Sequence, residues 1–269
     1  MKLSISNIAL SPYTHSKELG KLGELGFVGL EVAPSRIWKN TWAGLSSRSI
    51  ESYRRNAELG GLTIVGLHSL FYDQPKLGIF STGDTRCQTM NYLVHLSKVC
   101  RDLGGVTLIY GGGRWRGSIP KKDAFRIAGE FVTDLISRTE KHGTVFCFEP
   151  LAKQDSDFVN SVYESIKFVK MINNKAFRVQ LDAKALVANN ELVRRVFQAA
   201  KPFLVHVHVN EPDLGVLGGS GTIDNSAIGG FLKDISYSGF VSLEQKKVSE
   251  KETFGPIENS MKVMREYYL

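Results

Sequence analysis

The chain has 269 residues, 42% of them hydrophobic, and a formal net charge of +7. That is ample for a buried core as one large domain or two small ones, and no apolar run is long enough to cross a bilayer, so the expectation is a soluble, cytoplasmic chain with no membrane partner. The positive balance admits nucleic acid or anionic sugars. The basic residues are scattered, however, as Arg54-Arg55, Arg114, Arg116, Lys121-Lys122, Arg194-Arg195 and Lys246-Lys247, with no aromatic-interleaved stripe, which disfavours nucleic acid.

In chain order, short runs rich in β-branched and aromatic residues and bounded by Gly, Asn or Pro predict strands at 3–7, 27–33, 62–70, 106–110, 144–150, 177–182, 203–210 and 240–245. The first of them begins at the N-terminus, where Met1 to Asn7 alternates like a strand and lacks the long apolar stretch of a signal peptide. Amphipathic stretches predict helices at 15–25, 46–59, 84–103, 123–141, 161–173, 191–200 and 225–236, with 261–268 closing the chain. Ser46 or Ser47 can cap the second helix, with Glu51 in its first turns. Gly60-Gly61, Gly104-Gly105, Gly143 and Gly239 follow helices, suit left-handed caps, and lead into strands. The three cysteines, Cys87, Cys100 and Cys147, lack CxxC spacing and are read as small buried residues rather than a disulfide framework.

Eight βα units in series, without a composition break or long linker, predict a single α/β domain over residues 1–269, a (β/α)8 TIM barrel. A doubly wound open sheet is the competitor. It would show a Gly-rich phosphate loop after its first strand, and Ser6-Asn7-Ile8-Ala9-Leu10-Ser11-Pro12 is not one.

Four of the strands end on a potential metal ligand: Glu149 in Cys147-Phe148-Glu149-Pro150, Asp182 in Gln180-Leu181-Asp182, His208 in His206-Val207-His208, and Glu244 in Ser242-Leu243-Glu244. Side chains alternate between the faces of a strand. Val205, Val207 and Val209 therefore oppose His206 and His208; Val241 and Leu243 oppose Ser242, Glu244 and Lys246; Phe146 and Phe148 oppose Cys147 and Glu149. The apolar sets pack on helices and the polar sets look into the barrel, whose catalytic mouth lies where the strands end. Converging carboxylates repel unless a cation sits among them. Three carboxylates and an imidazole suit one divalent ion, Mn²⁺, Mg²⁺ or Co²⁺, with Zn²⁺ a further candidate. Such an ion leaves positions for a substrate hydroxyl and carbonyl. Glu149 and Glu244 lie across the barrel from each other, so one can take a proton from the carbon beside the carbonyl and the other return it, through an enediolate held at the metal. His206, one step deeper than His208, is expected to be a hydrogen-bonded core residue.

Further candidates are His68 and Glu31, at the ends of the third and second strands, as contacts to substrate hydroxyls. Lys184 and Lys246 follow metal-ligand positions and can meet an anionic group. Gly111-Gly112-Gly113-Arg114-Trp115-Arg116 after the fourth strand can hold a phosphate or carboxylate, Arg114 being the candidate cation, or is a structural loop. Trp38 and Trp42 can form an apolar wall or lid, or a subunit contact.

Over almost its whole length the chain resembles the xylose isomerase-like TIM barrels, also called sugar phosphate isomerases/epimerases, with the ketose 3-epimerases as the nearest pattern. The resemblance is carried by Gly26-Phe27-Val28-Gly29-Leu30-Glu31, by Phe148-Glu149-Pro150-Leu151 followed by Asn160, and by Leu181-Asp182. It continues through His206-Val207-His208, Gly219-Ser220-Gly221-Thr222-Ile223-Asp224 and Gly239-Phe240-Val241-Ser242-Leu243-Glu244. It implies that Glu149, Asp182, His208 and Glu244 bind the metal and that the two glutamates are the acid–base pair. It also admits a homo-oligomer. Where the epimerases place a substrate-binding His, Arg and Glu, this chain has Ala185, Leu214 and Asp155, so the metal centre is kept and the ketose-gripping residues differ. Ala185, and the lack of a later Asp-x-His pair between Leu214 and Ile223, also separate the chain from the apurinic endonucleases of the superfamily. The function expected is isomerisation or epimerisation of a sugar, its phosphate or another derivative. A metal-dependent dehydratase of the inosose type is the alternative, and a non-catalytic sugar-binding barrel a third.

Overall fold

The computed structural model describes residues 1–13, 15–42 and 45–269. Strands β1 (Lys2–Ser6), β2 (Gly29–Val32), β3 (Thr63–Leu67), β4 (Thr107–Tyr110), β5 (Val145–Phe148), β6 (Phe177–Asp182), β7 (Leu204–Val209) and β8 (Phe240–Leu243) pair in chain order. All pairings are parallel, and β8 returns to β1 with Ser4 opposite Ser242, closing the barrel. The open-sheet alternative is thereby excluded.

The helices are α1 (Ser16–Glu24), α2 (Ser47–Leu59), α3 (Gly83–Asp102), α4 (Lys121–Thr139), α5 (Val162–Ile172), α6 (Ala183–Ala188), α7 (Arg194–Ala200), α8 (Asn225–Asp234) and α9 (Phe254–Tyr268). Ser46 caps α2, its hydroxyl accepting from the Ser49 N–H at 3.2 Å. Two helical features differ from the sequence expectation. α6 was not expected: it is one short run of residues starting directly on the last residue of β6, with Asp182 Oδ1 accepting from the Ala185 N–H at 2.8 Å. α9 begins at Phe254 rather than 261, because Pro256 occupies its first turn, where the missing N–H has no helical partner to lose. After α8 the left-handed position falls on Ser236 (φ 57°) and not on Gly239.

The strand periodicity splits the core in two. Outward-facing Phe146, Phe148, Phe177, Val207, Val209, Val241 and Leu243 are buried against the helices. There Phe148 meets Phe168 edge-on at 5.1 Å and Phe177 at 5.6 Å. The inward set is polar and equally buried: Glu31, Gln180, His206, His208 and Ser242 are each 1% exposed or less. Burying polar groups is costly unless they are partnered, and the pairing of Glu31, His206, His208 and Ser242 builds the site, while the Gln180 amide has no hydrogen-bond partner among the described residues. Cys100 and Cys147 are free and fully buried, and burial pushes both thiols up, so they stay neutral packing groups, whereas Cys87, expected to be buried, lies exposed on α3.

Candidate metal centre

Asp182 pairs with His208 in the β6–β7 register, and His208 with Ser242 in the next. Glu149 and Glu244 follow directly on the last residues of β5 and β8. Their backbone N–H groups donate to Tyr110 O (3.3 Å) and Val209 O (3.0 Å), which fixes the chain as it leaves the barrel. The side chains converge on one atom: His208 Nδ1 lies 3.6 Å from Glu244 Oε2 and 3.9 Å from both Glu149 Oε1 and Asp182 Oδ2. Donor atoms of Glu149, Asp182 and His208 all lie within 4.8 Å of one another. A hard divalent ion about 2.1 Å from each ligand spaces neighbouring donors by about 3–4 Å. The arrangement therefore fits an ion, and the buried His208 Nδ1 has no hydrogen-bond partner among the described residues.

Without a cation the crowding shows in the ionisation of the group. Burial, then Asp182 and Glu244, push Glu149 up to about 8. Burial and Glu244 also raise Asp182. At Glu244 the burial penalty is outweighed by His208 and by the His68 hydrogen bond, which lower it to about 2. Burial opposes the His208 charge, but Glu31 and Glu244 hold its pKa well above the ordinary value.

Below the ring lies Glu31, fully buried. Its Oε2 accepts from His208 Nε2 at 2.8 Å and from Ser242 Oγ at 3.0 Å, while His206 Nε2 lies 3.0 Å from Oε1. Holding the proton on His208 Nε2 aims Nδ1 at the ring, the carboxylate–histidine–metal arrangement that fixes a ligand's tautomer. Glu31 is thus no contact for substrate hydroxyls, as its sequence position suggested; it stands behind the imidazole. Glu31, His206 and His208 also satisfy metal-like spacing by themselves, but both Nε2 atoms are already turned to the Glu31 carboxylate.

His68, at the exit of β3, bonds through Nε2 to Ser6 Oγ at 2.6 Å and presents Nδ1 3.4 Å from Glu244 Oε1. Sequence reasoning missed Asn210. Its Nδ2 donates to Asp182 Oδ2 at 2.6 Å and Glu244 Oε2 at 2.9 Å, and its Oδ1 accepts from the Lys184 N–H at 3.0 Å. The signal was present: Asn210 follows His206 and His208 with the same parity.

A profile of the xylose isomerase-like TIM barrel family matches residues 19–267. The chain belongs to this family. It is 26% identical over 229 residues to a D-psicose 3-epimerase of Ruminiclostridium cellulolyticum, covering 83% of this chain and 75% of that protein. Among solved structures, D-psicose 3-epimerase with D-tagatose from Clostridium cellulolyticum H10 superposes with TM-score 0.84 at 21% identity, covering 100% of this chain and 99% of that one. A 3-keto-D-glucoside 4-epimerase from E. coli superposes with TM-score 0.83 at 17% identity, covering 99% of each chain. The two structures share the fold.

Around the ring the barrel mouth opens into two connected lobes. One, about 410 Å³, is walled by Phe71, Tyr72, Leu77 and Trp115 and reaches Glu149, His208 and Glu244. The other, about 500 Å³, shares Ser69, Tyr72 and Glu244 and extends to Arg36, Lys246 and Lys247. Several expected site residues are placed elsewhere. Trp38 packs on Tyr53 and donates to Ser49 Oγ (2.7 Å), and Trp42 packs on Tyr92, so the aromatic wall comes from Phe71, Tyr72 and Trp115 instead. Lys184 and Asp155 face each other at 3.5 Å; burial works against the lysine's charge but Asp155, Asp182 and Glu244 raise its pKa. Arg114 is 1% exposed with its guanidinium 4.5 Å from the Phe148 ring centroid, so it lies behind Glu149 and not in the cleft.

Proposed function

We propose that the chain is a divalent-metal-dependent isomerase or epimerase acting on a sugar or sugar derivative, with Glu149 and Glu244 as its acid–base pair. The observation that carries this reading is the approach of both carboxylates to the same atom, His208 Nδ1, at 3.9 Å and 3.6 Å. Glu149, Asp182, His208 and Glu244 would hold the ion, and their oxygen-rich donor set suits Mn²⁺, Mg²⁺ or Co²⁺. When bound, the ion supplies a Lewis acid that polarises the substrate carbonyl and lowers the acidity barrier of the neighbouring C–H.

The rest is done by the chain. One glutamate takes the proton from the carbon beside the carbonyl, and the C–H electron pair moves onto the carbonyl carbon–oxygen unit as an enediolate. The other glutamate delivers a proton to the opposite face of the same carbon, giving the epimer, or to the former carbonyl carbon, with the neighbouring hydroxyl's proton passing to the former carbonyl oxygen, giving the isomer. Asn210 and His68 hold Glu244 from two sides, which keeps its orientation during transfer. Phe71, Tyr72 and Trp115 offer faces on which a sugar ring or chain can lie, and they limit water around the reacting carbon. The similarity to the D-psicose 3-epimerase of R. cellulolyticum supports the same class of reaction.

The test is solvent exchange. Protein loaded with Mn²⁺, Mg²⁺ or Co²⁺ is incubated with ketoses and aldoses in D₂O and products are followed by NMR. Deuterium at a carbon beside the carbonyl, in an inverted or isomerised product, is expected. A dehydratase would instead form a new carbonyl chromophore, and absence of exchange from every sugar would remove the proton-transfer reading.

A further inference from the structure

We infer that the substrate carries an anionic group, a phosphate or a carboxylate, which sits in the lobe formed by Arg36, Lys246 and Lys247 while its α-hydroxy carbonyl end lies at Glu244; this deepens the proposed epimerase reading and rests on it. The two lobes of the cleft differ in charge. Among the described residues the aromatic lobe has no Lys or Arg in its wall, whereas the other, about 500 Å³, has three, brought from two separate segments. Glu244 belongs to both walls, so a molecule bound across the ring has one end in each environment.

The cations are held in place by their backbones. After β8 the chain runs between the exits of its two neighbours: the Lys246 N–H donates to Leu214 O at 2.8 Å and the Lys247 N–H to Ile8 O at 3.0 Å. Arg36 ends the 3-10 turn Pro34–Arg36 after β2, and its carbonyl accepts from the Tyr13 N–H at 2.9 Å. Their charges are only partly answered. Lys247 Nζ bonds Ser11 Oγ at 3.0 Å and Glu250 Oε2 at 2.9 Å, the latter on a side chain 91% exposed. Arg36 gives Nη2 to Leu10 O at 2.5 Å, while its buried Nε has no partner among the described residues. Lys246 is exposed at the lobe and has no carboxylate within ion-pair distance among the described residues. The acids lining the lobe are Glu250, on Lys247, and Glu244, engaged by Asn210 and His68, and Glu18 behind it acts on both Lys247 and Arg36, which leaves Lys246 as the cation least answered. Lys184, by contrast, is matched by Asp155. A neutral sugar would leave Lys246 without a counter-charge at the lobe. A phosphate or carboxylate can accept from the lysine ammonium groups and from a guanidinium N–H together.

The experiment is equilibrium binding by calorimetry to the full chain, with and without Mn²⁺, using inorganic phosphate, D-fructose, D-fructose 6-phosphate and the carboxylated ketose 5-keto-D-gluconate. At least one anionic ketose is expected to bind about tenfold or more tightly than D-fructose. The advantage should shrink with added salt and be lost in Lys246→Gln, an exposed position where the substitution leaves the fold intact, and in Arg36→Gln. The phosphorylated and carboxylated probes separate the two sources of charge. Equal binding of D-fructose and both anionic sugars overturns the inference. So does phosphate binding that needs Mn²⁺ and survives Lys246→Gln, since the anion is then on the ion. Deuterium exchange read on the same samples keeps the two ideas apart. Anion preference without exchange from any sugar sinks proton transfer alone; exchange from D-fructose without anion preference sinks the anionic substrate alone.

Discussion

Glu149 and Glu244 are the same side chain, each one residue past the end of a strand and each within 4 Å of His208 Nδ1, yet their corners of the barrel treat them oppositely. Behind Glu149 lie Phe148 and the Arg114 guanidinium stacked on it, and no hydrogen bond reaches its carboxylate from the described residues. Glu244 is met by Asn210 Nδ2 at 2.9 Å and by His68 Nδ1 at 3.4 Å. Burial costs both, but only Glu244 receives donors that repay it, so Glu149 rises to about 8 and Glu244 falls to about 2. Environments that push two carboxyls apart assign them opposite proton roles. In the metal-free protein Glu244 is the ionised carboxylate and Glu149 the protonated one; on the proposed reading Glu244 takes the substrate proton, while Glu149 gives up its own proton when the ion binds.

The largest effect that can break this comparison is on exchange. Glu244→Gln should lower deuterium wash-in from the substrate epimer by about 10²–10⁴-fold. Glu149→Gln should lower conversion to the other epimer by a similar factor while leaving more wash-in at the original centre. Equal losses of wash-in in both variants, measured by NMR on the same substrate, would erase the distinction.

Next is the pH dependence of metal binding. A ligand must be deprotonated to bind, and Glu149, raised to about 8, carries a proton in the metal-free protein near neutrality. Apparent Mn²⁺ affinity should therefore fall about tenfold per pH unit below 8 for this proton. His208, also raised, adds to the release. Calorimetry in buffers of different ionisation enthalpy counts the protons; binding without release at pH 7 would contradict the elevated Glu149.

The support beneath His208 comes third. Glu31→Gln removes the negative charge and one of the two acceptor oxygens that face His206, His208 and Ser242, and outer-shell changes of this kind cost about 10–100-fold in metal affinity. Competition with a chelator measures it, and an unchanged affinity would reduce Glu31 to a packing residue.

What the chain discloses before folding follows the reach of each physical rule. Eight alternating units and strand parity were legible because both are local, and parity alone turns His206, His208 and Ser242 inward. The roles of Glu31 and Asn210 were not, because they depend on register between strands far apart in sequence: Glu31 and His208 are 177 positions apart and joined at 2.8 Å. Gly111 is a similar case. Read as part of a possible phosphate loop, it is the place where a Cβ would overlap Glu149 Oε2, so the absent side chain makes room for that carboxylate. Arg114 misled because a cation beside glycines resembles an anion site, while its burial over Phe148 comes from packing that no local pattern encodes.

The smallest effect is on the stability of the metal-free protein, and its sign separates the two corners. Glu149 has a folded pKa raised above its ordinary 4.5, so its contribution is fully present below 4.5 and is lost as pH rises toward 8. Glu244 is lowered, so its contribution is present above 4.5 and is lost only as pH falls toward about 2. In EDTA at pH 8, Glu149→Gln should therefore be at least as stable as the parent, gaining about 1 kcal/mol relative to it for each pH unit between 5 and 8. Glu244→Gln should be less stable at both pH values by about 1–2 kcal/mol, since a neutral amide weakens the bonds from Asn210 and His68. Urea denaturation of the variants reads both, and a destabilised Glu149→Gln at pH 8 would mean that its carboxylate, too, finds a partner in the folded chain.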